Sequence, residues 1–502
     1  MRTVIVAMVG ALGWTASAGE AAERLTATGA RAPSVETAYQ VTYREGAPRV
    51  EVTMRFAPAI DAPLVFVVPR SVPMGYGEQP YDEFVADLTA SGDGDGRRAI
   101  AVERQDGPRW SIGRTGDRVS GLAYTVDVRG MEQSIVAASD ASRVRNGYVG
   151  LLGYSILGYV EGRDALPARL SVSGPAAWPV LTTLNPHVPV DVGRTEGVAA
   201  NFYALADSQI VMGPRVDIRR VPATVPLYVA TYAEGPIDLE RIGSLIATAM
   251  DRVVRYYGTT PFEHYTVHQE LLEPVSPRHR YGFSMEHLDS STYYLARNEG
   301  LTASSDEATA RRVLYNFAHH MSHAWVPKRA YGEGYYPFMW ELAPVLDTIW
   351  FAEGFGQYAA IVAVGDGEPD PEAYRHGLLE RRFRSTLAEA PLFIRRLGLV
   401  ELSRIASTRY SEDFRTGRNV FSRGGLMAAE MDDRIRAATN GQRSLKDALR
   451  ALVAWSGREA RPFAIDELPA IVESATGVAT GDILAKWLKP LSESSPSARI
   501  EP

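Results

Sequence analysis

Residues 319–323 read His-His-Met-Ser-His, three histidines within five positions of a 502-residue chain that has nine in all. On a helix His319 and His323 stand one turn apart on the same face. Two imidazoles at that spacing can share a tetrahedral Zn²⁺. Downstream, the segment Trp350-Phe351-Ala352-Glu353-Gly354-Phe355 offers Glu353, a carboxylate able to complete a three-ligand set with the fourth position open to water. Where such a histidine pair serves a hydrolytic zinc site, the residue directly after the first His is a glutamate acting as general base. Here that position is His320. Spacing alone leaves a plainer reading open: two half-buried helix histidines bonded to backbone carbonyls, and a solvated helix glutamate.

Elements must position these groups. Ser304 with Glu307 makes a capping box at the head of the histidine helix, and Val313, Leu314, Phe317, Met321 and Trp325 form its buried stripe. Asp347 is the expected N-cap of the helix carrying Glu353. Upstream, Leu227–Tyr232 reads as a strand, 238–257 as an amphipathic helix and 264–272 as a strand. From Thr37 to about Ile218 the pattern is β throughout. Val50, Val52, Met54 and Phe56 alternate with polar residues, Leu64–Val68 is a short buried run, Ser91–Gly96 is a turn, and Trp110 and Tyr124–Val128 continue the series. A boundary falls near Arg220–Pro226, where Pro222 and Pro226 accompany a change of period. Residues from about Leu402 to Leu491 are mostly helical. The expected organisation is α+β and multidomain: a signal peptide over 1–18, an N-terminal β-sandwich-like domain over 19–225, a zinc domain over 226–400, a helical C-terminal domain over 401–491 and a tail over 492–502.

Hydrophobic residues at 45% and charged residues at 23% are ordinary for a globular protein. The formal charge of −7, with no compensating basic block, argues against nucleic acid as a partner. Arg2 precedes an apolar stretch from Val4 to about Trp14, followed by Ala16-Ser17-Ala18, the pattern of a cleaved secretory signal. A retained N-terminal anchor is the alternative. No other segment reads as a membrane span. With no cysteine, an exported fold would have to stand without disulfides and a lipoprotein anchor is set aside. The expected location is the periplasm or the medium.

The run HHMSHAWVPKRAYGEGYYPFMWELAPVLDTIWFAEGFGQY, from His319 to Tyr358, resembles the glycyl-aminopeptidase family of gluzincin metallopeptidases (metallopeptidase family 61). In that family HExxH is followed by a Trp and a Lys-Arg pair, matched here by Trp325, Lys328 and Arg329. The resemblance extends to YGFSMEHLDSS at Tyr281–Ser291, to FSRGGLMAAEMDDRIRAATNGQRSLKDALRAL at Phe421–Leu452, and to the Pro-Gly-Tyr-rich turn at Pro73–Tyr81. Family members usually continue into a PDZ domain, and the sequence is read as stopping short of one. The resemblance implies a thermolysin-like (gluzincin) zinc domain, one Zn²⁺ per chain held by His319, His323 and Glu353, and peptides or protein N-termini as partners. It further implies that Ser284, Met285 and Glu286 line the substrate path, with Glu286 pairing with a free α-amine.

Two catalytic positions depart from the family. His320 replaces the base, and Phe421 stands where Y-x-K-G places a tyrosine that donates to the oxyanion. Phe283 and Ser284 also replace two glycines. A protonated His320 would be a cation beside a dication, whereas a glutamate merely loses its charge. Adjacent helix residues point about 100° apart, which sets His320 aside as a fourth ligand. The expected function is an exported zinc-binding member of the family, with an N-terminal peptide-binding cleft and weak or lost hydrolysis. The alternatives are an active aminopeptidase with His320 as an atypical base, and a structural protein whose histidines bind nothing.

Overall fold

The computed structural model describes residues 37–92, 98–410 and 413–491. The expected signal peptide, the tail and most of the turn at 91–96 lie outside the described residues. Among those residues the N-terminal part forms three sheets. The largest has seven strands, with Thr37–Tyr43 and Val50–Asp61 paired antiparallel at its centre. Val50, Val52, Met54 and Phe56 turn into the core as their alternation requires. Short helices at Val128–Ser134, Gly153–Ile156 and Phe202–Ala206 interrupt a region that the sequence reads as β throughout.

A second unit begins with a five-stranded sheet. Leu227–Ala233, Tyr265–Leu272 and Ser290–Ala296 run parallel, flanked by the antiparallel strands Val216–Val221 and Phe283–Glu286. Every residue of Tyr265–Leu272 is buried, as expected of a central parallel strand covered on both faces. Helix α1 (Leu239–Tyr257) covers the sheet with Ile242, Ile246, Met250 and Val253. Asp238 caps its start, and Gly258, with φ of 75°, closes its end.

Helix α2 (Glu307–Ser322) carries the histidines. Its cap is Asp306, whose carboxylate accepts from the Thr309 N–H at 2.8 Å, rather than Ser304. The Ser304 hydroxyl lies 3.0 Å from that of Thr302 instead, and the nearer carboxylate takes the cap. Leu314, Phe317 and Met321 face the core, and Trp325 follows beyond the helix end, stacked on Tyr257. Asp347 likewise does not cap the Glu353 segment. The Arg404 guanidinium holds its carboxylate at 2.6 and 2.8 Å, a bidentate charge-assisted pair that engages both of its oxygens. That segment opens as a π-helical turn, Trp350–Phe355, and runs on into α3 (Gly356–Gly365). Helix α4 (Phe414–Ala438) packs across the turn, and further helices complete the C-terminal region. No helix of the described residues is long and apolar enough to cross a membrane.

Candidate metal centre

The last turn of α2 presents His319 and His320, and His323 is its first residue beyond. The π-helical turn aims Glu353 at the same point. His319 Nε2 lies 3.4 Å from His323 Nε2 and 3.5 Å from Glu353 Oε2, and the third edge, His323 Nε2 to Glu353 Oε2, is 3.7 Å. Ligand atoms about 2.0–2.1 Å from a tetrahedral zinc stand roughly 3.3–3.4 Å apart, so this triangle has the size such an ion needs. All three side chains are buried.

The surroundings orient the ligands. His323 Nδ1 lies 2.8 Å from the Val326 carbonyl, which assigns its proton to that nitrogen and leaves the Nε2 lone pair facing the triangle. Glu353 Oε1 accepts from the Tyr76 hydroxyl at 3.0 Å, and the Tyr335 hydroxyl stands 3.4 Å from that of Tyr76. His319 Nδ1 is buried without a hydrogen-bond partner among the described residues. Burial, together with His323 and His320, drives the His319 imidazole well below its ordinary pKa, so the ring is neutral, the form that ligates. Burial also pushes the Glu353 carboxyl up to about 7; His323 opposes this and Glu286 adds to it.

Two glycines make the turn possible. A Cβ on Gly354 would sit 2.5 Å from the Gly424 Cα, and one on Gly424 would sit 1.9 Å from the Trp350 carbonyl oxygen. Backbone thus packs directly on backbone where α4 crosses the ligand turn, and that contact seats Phe421 beside the site.

Glu286 ends the edge strand Phe283–Glu286, in register with Ser291. Its Oε2 is 3.5 Å from His320 Nδ1, a charge contact longer than a good hydrogen bond. Burial would raise the Glu286 carboxyl, but His323, His320 and Lys328 outweigh it and hold it well below the usual carboxylate range. His320 also offers a nitrogen within 4.8 Å of those of His319 and His323, so a neighbouring position on the helix does not keep it out of the site. The cleft over these groups has a volume of about 440 Å³ and is lined by Ser284, Met285, Glu286, His320 and Phe421 among others. The Ser284 hydroxyl accepts from Asn316 at 3.4 Å.

Sequence reasoning missed Tyr76 and Tyr410. Tyr76 lies in the Pro73–Tyr81 turn, held by the buried Lys328 ammonium, which donates to the Pro73 carbonyl at 2.7 Å. The Tyr410 ring is 5.3 Å from that of Tyr76 and 6.0 Å from that of Phe421. Burial and the charges of Glu353 and Glu286 raise the Tyr410 hydroxyl, so it remains a proton donor facing the cleft. The Pro-Gly-Tyr-rich turn was the one signal for Tyr76; nothing marked Tyr410.

Residues 38–214 match the peptidase M61 N-terminal domain. No curated protein matches the sequence. Among solved structures, an aminopeptidase N family protein from Idiomarina loihiensis superposes with a TM-score of 0.77 at 20% identity, over 91% of this chain and 77% of that one. The M1 zinc metallopeptidase of Deinococcus radiodurans, as a mutant bound to a Tyr-Ser-Ala substrate, superposes with a TM-score of 0.52 at 15% identity, over 93% of this chain and 95% of that one. As the resemblance leads one to expect, residues 38–214 are similar to the peptidase M61 N-terminal domain, and the chain as a whole has the multidomain α+β fold of the aminopeptidase N-type metallopeptidases.

Proposed function

We propose that this chain is an exported, zinc-holding relative of the metallo-aminopeptidases, whose cleft binds peptide N-termini and whose hydrolysis is weak or lost. One observation carries the reading: a ligand triangle of zinc's dimensions stands beside a histidine in place of the base and a phenylalanine in place of the oxyanion donor. The solved M1 zinc metallopeptidases, one seen with a Tyr-Ser-Ala substrate and one with L-arginine, support zinc and peptide as ligands. Zinc held by His319, His323 and Glu353 would polarise a carbonyl and acidify water. Glu286, buried and held as a carboxylate, would receive the free α-ammonium of the peptide. Phe421 has no hydroxyl to donate, a loss worth about 10²–10³ in rate, and a missing general base costs roughly 10²–10⁴. The apolar stretch with Ala16-Ser17-Ala18 supports export, and fractionation of the tagged chain should find it in the periplasm or medium, shortened by its first 18 or so residues.

The Glu286–His320 contact favours a second reading, an active aminopeptidase. A carboxylate beside one ring nitrogen offsets the charge His320 would gain on taking a proton at the other, as carboxylates do behind catalytic histidines. Release of glycine and alanine from chromogenic amides by the zinc-loaded protein separates the two. Chelator-sensitive turnover lost in His320→Ala, with zinc retained, selects the second. A silent wild type that binds a free N-terminal peptide but not its acetylated form supports the first, and equal binding of both sinks the Glu286 role.

A further inference from the structure

The chain carries more acidic than basic residues, 60 against 53, yet arginines crowd the walls of this cleft. Arg381 and Arg382 come from the π-helical turn Leu379–Arg384, Arg418 from α4 and Arg280 from the approach to the edge strand. All four are exposed, and none makes an ion pair among the described residues. Their neighbours behave otherwise. Arg384, on the same turn, is 2.7 Å from Glu380, and Arg415, one turn before Arg418, is 2.6 Å from Asp413. On these two elements the neighbouring arginines are neutralised at close range, whereas Arg381 and Arg382 have no carboxylate within ion-pair distance among the described residues, and Arg280 and Arg418 feel Asp140 and Asp413 only from farther off.

Two of the open guanidinium groups are also shaped for a ligand. Arg382 lies 4.6 Å above the Tyr315 ring and Arg418 lies 5.3 Å from the Phe414 ring. Stacking restrains a guanidinium while leaving its edge donors free, the arrangement in which arginine grips carboxylate in two-point fashion. Surface arginines such as Arg415 on Phe393 and Arg461 on Trp455 stack too; what distinguishes Arg382 and Arg418 is that they line a concavity ending in candidate metal ligands.

Resting on the peptide-binding reading above, we infer that the cleft selects peptides bearing a carboxylate beyond their N-terminal residue, gripped by Arg381, Arg382 and Arg418 with Arg280 opposite. The carboxylate has two sources, the C-terminus of a short peptide or an acidic side chain. With Glu286 taking the amine, ligands would be read at both ends by opposite charges.

Calorimetry on the full-length, zinc-loaded protein tests this with Ala-Ala-Ala, its C-terminal amide, Ala-Asp-Ala-amide and Ala-Asn-Ala-amide. A charge-assisted contact is worth roughly a tenfold to hundredfold change in affinity. We expect that gain for Ala-Ala-Ala over its amide if the terminus is read, or for the Asp peptide over the Asn peptide if a side chain is read. The gain should shrink as salt rises and disappear in Arg381→Gln/Arg382→Gln/Arg418→Gln, with metal content unchanged. Equal affinity for all four peptides overturns the inference and leaves the peptide-binding reading standing. Binding of none overturns both. A gain that survives the triple substitution places carboxylate recognition elsewhere and also overturns it.

Discussion

Glu353 and His323 are each held from behind, by the Tyr76 hydroxyl and the Val326 carbonyl, whereas His319 is held by its place on the helix alone. Removing one ligand should therefore act on metal content more than on fold: Glu353→Ala is expected to take zinc from near one per chain to near zero by elemental analysis. Tyr76→Phe is a milder change, deleting the hydroxyl 3.0 Å from Glu353 Oε1. Loss of such a supporting bond typically lowers metal affinity about 10–100-fold, and chelator competition would measure it. The ligand triplet was legible because the i,i+4 spacing and the Trp350–Phe355 segment are local patterns. Tyr76 is 277 residues from Glu353, and no local pattern records such a pairing. Arg381 and Arg382 were illegible for a different reason: Leu-Glu-Arg-Arg-Phe-Arg reads as a solvated helix face, and only the packed fold turns part of it towards a cleft.

Elements meet under tighter constraint than their sequences suggest. Gly354→Ala would drive a Cβ into the Gly424 backbone at 2.5 Å, where neither side has a flexible side chain to yield. Overpacking of this kind costs about 1–3 kcal/mol, visible in denaturant unfolding, and would shift Glu353 as well. The π-helical turn itself was not foreseen, since a period fitted for an α-helix has no term for one extra residue. Both misread caps, Ser304 and Asp347, come from the same blindness: each has the right residue type, and a competing partner, Asp306 in one case and Arg404 in the other, decides the matter. A buried network elsewhere gives a pH prediction. His268, in the central strand Tyr265–Leu272, lies 2.9 Å from the Tyr148 hydroxyl, and burial first, then Arg143 and His287, depress it to about 3. The unfolded chain takes up a proton near its ordinary value of about 6.5 while the folded one does not. Stability should thus fall as pH drops from about 6.5 towards 3, by up to about 1.4 kcal/mol per pH unit from this group. His268→Gln should flatten that limb of the curve, and parallel unfolding titrations at several pH values would check it.

At the scale of the molecule, the stretch between His323 and Glu353 crosses to the other unit. Trp340 inserts into the N-terminal core at 4.8 Å from the Phe202 ring, and its carbonyl accepts from the Arg70 N–H at 2.7 Å. Trp340→Ala should cost about 3–5 kcal/mol and weaken metal retention together, measured by unfolding and chelator competition on the same samples. The α+β order, sheets first and helices after, was readable from periodicity alone, because period 2 and period 3.6 leave clear marks over long segments. The way Trp340, Lys328 and Tyr76 stitch the units together was not, since each is a single residue acting across the chain.

That stitching gives an ion at this site a second office. Glu353 is aimed by one unit and hydrogen-bonded by the other, so a seated cation would act as a latch over the seam between them. Gentle warming or dilute urea, too weak to melt either unit, would then register first as metal leaking from the protein, and a dye that reports free zinc would sense the seam opening.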